Sequence, residues 1–336
     1  MRIGIVGFGY MGRMHFANWN RCPDAAVAAI CEKNPDLLND LKKPIGNIAG
    51  AEQPADLSGV RLYSTIADLL KNEKLDAVSI TLPTHFHEDA AIECLNSGVH
   101  VLCEKPMALT SAQCGRMLAA SHAAGRHLMI GHCIRFWPEY VTAKELIDSG
   151  RYGGVLSASF DRLGSAPKWS SGGWLGDASR SGGMILDLHI HDADFVQSLF
   201  GMPAAVCSHA ALTEDRITHI CTQYDYNDGR LITAQGSWLA SATFGFEMSF
   251  KIMLEQATLV YNCNHKPALK VYPAEGEPFS PGLAPGDGYL HEVAWFADLV
   301  RGDNPPLVIT AEQSRESVRL IEAERISAIE HRRVKL

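Results

Sequence analysis

Residues 3–12 read Ile3-Gly4-Ile5-Val6-Gly7-Phe8-Gly9-Tyr10-Met11-Gly12, an apolar run followed at once by three spaced glycines. A strand, a glycine turn and a helix in this order are the context in which Gly-x-Gly-x-x-Gly binds a dinucleotide. The first glycine permits a tight turn, the second lets the backbone approach a pyrophosphate, and the third lets the helix pack close to the strand. The backbone N–H groups at the start of the helix and the helix dipole favour the negative charge of the pyrophosphate. We therefore predict that the residues from Gly7 to Gly12 bind a dinucleotide cofactor.

A second buried strand is predicted at Val27–Cys31, and it ends at Glu32, twenty residues after Gly12. A carboxylate at this place accepts hydrogen bonds from the adenosine ribose hydroxyls and repels a 2′-phosphate, which favours NAD. Lys33 stands beside it, and a base there can accommodate the phosphate. We therefore expect Glu32 and Lys33 to contact the cofactor, with NAD preferred and NADP as the alternative.

The bulk properties narrow the class of protein. The chain has 336 residues, which suggests about two domains. Its formal charge is −8 and it contains no basic run, so a nucleic-acid partner is not expected. No apolar run approaches the ~18 residues of a membrane span. The first predicted strand starts at Arg2, so we expect no signal peptide. The nine cysteines form no Cys-x-x-Cys pair, which fits a reducing cytoplasm.

The N-terminal part alternates strand and helix patterns as far as residue 132. Such alternation predicts a parallel sheet with helices on both faces, a doubly wound Rossmann fold. Beyond the first two strands, the predicted elements are a helix at 35–42, a loop or small insertion at 44–60, a helix capped by Ser64 and reaching Lys71, a strand at 76–81, a helix at 86–98, a strand at 99–103, a helix capped by Thr110 or Ser111 and ended by Gly125, and a strand at 128–131.

The pattern changes after residue 150 to short alternating runs, with Asp228-Gly229 as a hairpin signature between two of them. These runs predict a large, open and mainly antiparallel sheet of the α+β class. One helix is expected near 190–200 and a long closing helix at about 311–331. The runs lie at 154–163, 204–212, 217–226, 230–238, 246–254 and 257–262. We expect a Rossmann domain at 1–125 and a substrate-binding and oligomerisation domain at 126–336.

Ligands of open α/β sheets bind beyond the carboxyl ends of the strands. In this chain those strand ends place polar residues at the predicted crevice. Among them Lys105 is the strongest candidate for a catalytic role. A lysine beside a nicotinamide could hydrogen-bond a substrate hydroxyl and stabilise the alkoxide as hydride leaves. The alternative is a surface lysine before a turn-forming proline. The residues at these strand ends that we expect to contact the cofactor are Thr81, Leu82, Pro83, His87, Glu104, Lys105 and Arg135.

A second set of chemical groups lies in the segment Asp187-Leu188-His189-Ile190-His191-Asp192-Ala193-Asp194. Asp187 and His191 are four apart and share one face if a helix begins there. The histidine can accept a hydroxyl proton and the carboxylate can orient it and stabilise its charged form. Two alternatives stay open. His-x-His with carboxylates is also a plausible metal site, although we expect none. The other alternative is a helix N-terminus without a functional role, whose polar side chains are solvated.

These motifs together resemble the glucose–fructose oxidoreductase and inositol dehydrogenase (Gfo/Idh/MocA) family. They are the N-terminal glycine motif, Thr81-Leu82-Pro83-Thr84-x-x-His87, Glu104-Lys105-Pro106, Arg135-Phe136 and the stretch Asp187-x-x-x-His191-x-x-Asp194. The resemblance implies a Rossmann domain followed by an open antiparallel sheet that often mediates oligomerisation, here as a homodimer or homotetramer. It also implies oxidation or reduction of a sugar or cyclitol carbon with NAD(P). By the same resemblance Lys105 is the catalytic lysine, His191 the proton-transfer residue, Asp187 its partner and Arg135 a neighbour of the nicotinamide.

The chain departs from the family pattern at two positions. His189 stands where glycine is common, so an extra imidazole is expected in the sugar pocket or as a second base. Thr84 replaces a common asparagine. The glycine-rich stretch from Trp169 to Arg180 is expected to form a pocket loop, because aromatic rings suit sugar faces and arginine suits an anionic group. Two other functions stay open: a lyase or glycosidase that recycles bound NAD, and a non-catalytic nucleotide-binding regulator.

Overall fold

The structure is a computed structural model that describes residues 1–39, 55–167 and 170–336. The predicted helix end at 40–42 and the first part of the predicted loop at 44–60 lie outside these residues. The described chain forms two compact units. The first contains the described parts of 1–133 and 169–174 together with Asp287–Arg315. The second contains the described part of 134–168 together with Leu175–Gly286 and Glu316–Leu336. The first unit thus extends past our expected boundary at residue 125.

The first unit is built on a parallel sheet in the order β3-β2-β1-β4-β5-β6. Its strands are β1 (Arg2–Val6), β2 (Ala26–Cys31), β3 (Arg61–Tyr63), β4 (Ala77–Ile80), β5 (His100–Glu104) and β6 (Leu128–Gly131). The helices between them are α1 (Tyr10–Trp19), α2 (Asp36–Asn39), α3 (Ile66–Asn72), α4 (His87–Asn96) and α5 (Ser111–Ala124). The strand order reverses direction at β1 and β4, and the crevice at such a switch point is where ligands of this fold bind.

The second unit is built on a mainly antiparallel sheet in the order β13-β12-β11-β7-β10-β9-β8-β14, with β7 and β10 running parallel. Its strands are β7 (Val155–Gly164), β8 (Ala205–Thr213), β9 (Arg216–Asp225), β10 (Leu231–Ser237), β11 (Phe246–Leu254), β12 (Ala257–Asn262), β13 (Leu269–Pro273) and β14 (Val334–Lys335). Its helices are α6 (Pro138–Asp148), α7 (Ala178–Ser181) and α8 (Ile190–Phe200). The predicted fold class, a Rossmann sheet followed by a large antiparallel sheet, is confirmed.

Two further helices lie between β13 and β14 in sequence, α9 (Gly288–Arg301) and α10 (Ala311–Glu330). The first unit includes α9 because this helix packs on α1. Trp19 of α1 and Phe296 of α9 are both fully buried and meet edge to face, with ring centroids 6.4 Å apart. Burial of two large rings stabilises this helix pair by several kcal/mol, at about 1.5–3 kcal/mol for each side chain.

The second unit has an aromatic core beneath the inner face of its sheet. Alternate residues of β7 and β11 are buried, as expected for a sheet with one covered face. Tyr140 of α6 lies at the centre of this core, with ring centroids 4.8 Å from Phe195, 5.1 Å from Phe250 and 5.1 Å from Tyr261. This packing fixes α6 and α8 against the sheet.

Most predicted elements are confirmed with small shifts at their ends. Thr110 caps α5, and Gly125 ends it with φ +60°. The predicted Ser64 cap is wrong by one residue, because Thr65 accepts the N–H of Asp68 at the start of α3. The sequence patterns did not predict β3, α6, α7, α9, β13 and β14. Three of these are strands of five residues or fewer, and such runs carry too few residues to show a period.

Candidate functional site

The glycine turn has the geometry that a dinucleotide requires. Gly7 adopts φ +91°. A Cβ on Gly12 would overlap the carbonyl oxygen of Gly7 and stand 3.1 Å from the Thr81 hydroxyl, so glycine alone lets α1 pack this close to β1. A Cβ on Gly9, by contrast, would meet no atom of the described chain within 4 Å. The turn is therefore tight on its protein side and open on the side where a pyrophosphate would lie.

The side chains between the glycines point into the first unit. Phe8 is fully buried and meets Phe16 edge to face, with ring centroids 5.8 Å apart. Tyr10 is buried in a small cluster with Met14, Met11 and Tyr289. These residues therefore offer a cofactor their backbone groups, and the first turn of α1 carries no acidic side chain that would oppose an anion.

Glu32 lies just beyond β2 and reaches the glycine turn. Its two carboxylate oxygens accept the N–H of Phe8 at 2.6 Å and the N–H of Asn34 at 2.8 Å. The carboxylate therefore stands beside the turn, where the adenosine ribose of a dinucleotide belongs in this fold. Lys33 beside it is exposed.

The segment after β4 is fastened to the same turn. Thr81 donates its N–H to Val6 and its hydroxyl to the Gly7 carbonyl at 2.7 Å. Leu82 and Pro83 follow, both half-buried, and form the rim of the strand end. A Cβ on Gly7 would stand 3.0 Å from the Thr81 carbonyl oxygen and from the Leu82 side chain, so these two residues lie against the glycine turn.

His87 is buried, with Nδ1 2.9 Å from the Pro106 carbonyl oxygen and Nε2 2.8 Å from that of Leu82. Burial lowers the pKa of His87, although the two carbonyls and Glu104 act to raise it. A neutral imidazole has one N–H, so the ring donates to one of these two carbonyls while it lies between the segment after β4 and the segment after β5. We predicted a direct contact between His87 and the cofactor. In the structure both ring nitrogens face backbone carbonyls of the protein instead.

The Glu104-Lys105-Pro106 segment follows β5, with a cis peptide bond before Pro106. Glu104 is buried, and its Oε1 lies 3.0 Å from Nε2 of His15 on α1. Its Oε2 accepts the backbone N–H of Lys105 at 3.0 Å. Burial acts to raise the pKa of Glu104, but the hydrogen bond and charge of His15, with Lys105, hold it below its ordinary value. Glu104 is thus an anchor of the Lys105 backbone, and Lys105 itself is half-exposed.

Asp187 and His191 lie where a π-helical turn, Ile185–His189, runs into α8. Turns of this kind are rare and occur frequently at functional sites. Both side chains are half-exposed. Their immediate polar neighbours in the segment are buried.

Two of these neighbours are held by buried ion pairs. Arg162 of β7 donates to both carboxylate oxygens of Asp192, at 2.8 and 3.1 Å. Arg135 does the same to Asp194, at 2.8 and 2.9 Å, and also donates to Gln197. The predicted role of Arg135 as a cofactor contact needs correction, because its buried guanidinium is directed at α8. These forks fix the rotation of the helix that carries His191.

His189 also differs from its prediction. It is 0 % exposed, and its Nε2 lies 2.7 Å from Oε2 of Glu324 on α10. The same oxygen accepts the Thr222 hydroxyl at 2.9 Å. A Cβ on Gly236 would stand 2.8 Å from that of His189, so β10 has a glycine to make room for this ring. His189 therefore holds the π-helical turn inside the second unit and does not enter a substrate pocket.

The predicted pocket loop is described in part. Trp169 lies outside the described residues. Arg180 is a half-exposed residue of α7. The His-x-His segment forms no metal cluster within the described chain, where the set with metal-type donors close together is His15, Glu104 and Glu292.

Several residues that shape the site were missed, namely His15, Arg162, Glu292 and Glu324. His15 lies three residues after Gly12, but a histidine in a helix does not show in the sequence that its partner is Glu104. Arg162 and Glu324 meet their partners 30 and 135 residues away in sequence. A pattern read along the chain has no access to such pairs.

Comparison with known proteins matches both parts of the chain. A family model described as "Oxidoreductase family, NAD-binding Rossmann fold" (GFO_IDH_MocA) matches residues 1–132. The model of the GFO/IDH/MocA C-terminal domain matches residues 140–260.

Named relatives cover most of the chain. Inositol 2-dehydrogenase 2 of Saccharopolyspora erythraea is 29% identical over 319 residues, covering 90% of this chain and 86% of the relative. Myo-inositol 2-dehydrogenase of Thermotoga maritima is 25% identical over 349 residues, covering 100% and 98%. The structure of a levoglucosan dehydrogenase with NADH and levoglucosan superimposes with a TM-score of 0.84 at 21% identity, covering 100% and 99%, which supports the fold. Among the described residues, no helix has the length and hydropathy needed to cross a membrane.

Proposed function

Because the chain belongs to the Gfo/Idh/MocA family of NAD(P)-dependent oxidoreductases, we propose that it transfers a hydride between NAD and a CH–OH carbon of a cyclitol or sugar. The names of the inositol dehydrogenase relatives support this substrate class. The observation that carries the proposal is the difference in burial among the polar side chains of residues 187–194. His189, Asp192 and Asp194 are buried and paired, whereas Asp187 and His191 stay half-exposed.

The first unit fits a dinucleotide because the space beside Gly9 is open, whereas Gly12 packs tightly against Gly7. When NAD is bound, its nicotinamide supplies the hydride acceptor. The glycine turn would hold the pyrophosphate through backbone N–H groups at the start of α1. Glu32 would accept the ribose hydroxyls and repel a 2′-phosphate, so we prefer NAD to NADP.

Lys105 is assigned to the developing alkoxide. Its backbone is fixed by the Glu104 carboxylate and its side chain is half-exposed, so the ammonium group can reach a ligand beyond β5. A positive group beside the substrate oxygen stabilises the charge that forms as the hydride leaves.

His191 is assigned to proton transfer. In the oxidation direction the neutral imidazole takes the proton of the substrate hydroxyl. Asp187 stabilises the imidazolium that results, because a nearby carboxylate favours the charged form. The buried forks of Arg162 and Arg135 keep α8 from rotating and so hold the imidazole in one orientation.

We further propose that the enzyme is a homodimer or homotetramer through the open face of the second sheet. Directly paired residues point to the same face of a sheet. Leu231 and Met253 both pair with Ser157, and Met253 continues through Thr258 to Tyr272. The two apolar side chains and the tyrosine in this row are exposed. An apolar row on an open sheet suits a second copy of the same surface.

The location proposed for the enzyme is the cytoplasm. All nine cysteines lie in the described part of the chain and are free, and most are buried. Free buried thiols suit a reducing compartment.

A panel of cyclitols, sugars and sugar acids, offered with NAD⁺ and with NADP⁺, tests the proposed reaction. Absorbance of the reduced nicotinamide should rise with at least one member of the panel. Loss of substrate without net cofactor reduction would replace the dehydrogenase by the recycling lyase or glycosidase. Cofactor binding without consumption of any member would favour the regulator. Sugar acids in the panel also test whether Arg180 recognises an anionic group.

A further inference from the structure

Three buried ionisable side chains lie directly behind the segment that carries Lys105. They are His15 of α1, Glu104 at the end of β5 and Glu292 of α9, with exposed fractions of 1, 6 and 0 %. Their donor atoms all lie within 4.8 Å of one another. All three belong to the first unit, and we call them the His15–Glu104–Glu292 cluster.

Glu104 has a partner for each carboxylate oxygen. His15 lies against one, and the backbone N–H of Lys105 donates to the other, both at 3.0 Å. The position of Glu104 therefore determines the position of the Lys105 backbone.

Glu292 is different. Within the described chain neither of its carboxylate oxygens has a hydrogen-bond partner, although its side chain is fully buried. Its Oε1 and that of Glu104 approach the same point, 3.4 and 3.5 Å from where a Cβ on Gly131 would stand. An ionised carboxylate without partners, beside a second carboxylate, would be strongly destabilising in this place.

A second buried glutamate shows what an ionised one requires. Glu73 is also buried, but it accepts hydrogen bonds from Arg2, Arg61 and Tyr63. Burial alone would raise its pKa, yet these donors lower it. Burial, followed by the charge of Glu104, instead raises the pKa of Glu292 well above its ordinary value.

We propose that Glu292 carries a proton at neutral pH and, together with His15, holds the Glu104 carboxylate against the Lys105 backbone. Glu292 is then a positioning residue for Lys105, and this role rests on the proposed function. A protonated Glu292 has an O–H that can donate, and the Glu104 carboxylate, one oxygen of which lies within 4.8 Å, is an acceptor beside it. The two carboxyl groups share one proton, as closely spaced acids do.

A cation in place of the proton is the competing occupant. A closed zinc site takes about four protein ligands, whereas the described chain offers the three groups of the cluster. The His15–Glu104 contact is already a hydrogen bond in length. Other titratable groups that interact with the carboxylates of the cluster are Lys105, His87, Cys103 and Tyr289, and burial raises the pKa of Tyr289. A proton therefore explains the cluster better than a metal.

The first experiment measures the proton without use of activity. The infrared carbonyl band of a protonated carboxylic acid should be present in the full-length wild type at pH 7, be lost in Glu292→Gln and persist in the matched control Glu73→Gln. A protonated group in the fold loses its stabilising effect as pH rises above the unfolded-state pKa. The ratio of the wild-type to the Glu292→Gln unfolding constant should therefore rise by up to about tenfold per pH unit between about 5 and 8.

Absence of the infrared band, or a ratio that does not change with pH, would overturn the proton assignment. So would one equivalent of zinc or another divalent metal in the purified wild type that is lost in Glu292→Gln.

The second experiment measures positioning. Glu292→Ala should speed hydrogen exchange at the Lys105 amide and lower kcat by about tenfold or more, since small displacements of reacting groups cost this much. NAD affinity should change by less than about threefold, and Glu292→Gln, which keeps a donor toward Glu104, should recover most of the lost kcat. Unchanged exchange and kcat in Glu292→Ala would refute the positioning role. If the wild type turns over no substrate, the proposed function fails, while the infrared band and the exchange rate still decide this inference.

Discussion

Two glycines of the same turn should respond in opposite ways to alanine. Gly9 has φ −71° and ψ −155°, an extended conformation that alanine adopts, and its Cβ would meet no described atom within 4 Å. The Cβ of an alanine at position 12 would overlap the Gly7 carbonyl oxygen and stand 3.1 Å from the Thr81 hydroxyl. Gly9→Ala therefore tests the ligand side of the turn, and Gly12→Ala tests its protein side.

The magnitudes follow from these contacts. In Gly9→Ala the lower entropy of the unfolded chain, worth about 0.4–1 kcal/mol, offsets the weaker N-cap, so stability should change by less than about 0.5 kcal/mol. In Gly12→Ala the gain in helix propensity is about 1 kcal/mol, but overpacking against a backbone oxygen costs about 1–3 kcal/mol. The difference is a net loss of up to about 2 kcal/mol. The Gly9 methyl should raise the Kd for NAD by at least about tenfold, which is about 1.4 kcal/mol.

Denaturant unfolding without cofactor measures the stability of both variants, and calorimetric titration measures NAD binding. The reasoning would be refuted if Gly9→Ala bound NAD as tightly as the wild type. It would also be refuted if Gly9→Ala lost as much stability as Gly12→Ala, because the two sides of the turn would then not differ.

Three further outcomes follow from the site. Lys105→Ala should lower turnover by about 10²-fold or more while NAD affinity, measured by titration, changes far less; near-normal turnover of the folded variant would remove this lysine from the reaction. Oxidation should fall as pH drops and the His191 imidazole becomes protonated, since a protonated imidazole accepts no proton, and His191→Asn should remove this acidic limb and most of the rate; a retained limb would exclude His191 as the base. Asp192→Asn leaves the buried Arg162 guanidinium without its counter-charge and should cost about 3–5 kcal/mol in denaturant unfolding, whereas Asp148→Asn, in an exposed ion pair, should cost less than about 1 kcal/mol; equal losses would contradict the argument.

The sequence predicted those parts of the site that depend on local backbone geometry. The glycine turn, the strand end before Lys105 and the helix start at Asp187 and His191 each occupy a short stretch with a characteristic order of residue types. Their secondary structure follows from that order, and the position of the strand ends follows from the parallel sheet.

The directions of the side chains could not be predicted from the order of residue types. Arg135 and His189 were expected to face ligands, but their partners are Asp194 and Glu324, and in the fold both side chains are buried. The same holds for His87, whose ring joins two backbone segments. A polar residue beside a functional one serves equally well as a ligand contact or as a support. Burial and partners decide between these roles, and both depend on residues distant in sequence.

The central claim is that a hydride passes from a substrate carbon to NAD, and isotope transfer tests it most directly. The member of the substrate panel that gives net turnover is prepared with deuterium on the carbon that bears the reacting hydroxyl, and the reduced cofactor is analysed by mass spectrometry. Direct hydride transfer predicts one deuterium in each molecule of NADH formed and a slower rate when the hydride step limits turnover. Reduced cofactor that carries no deuterium would contradict direct hydride transfer and with it the proposed reaction.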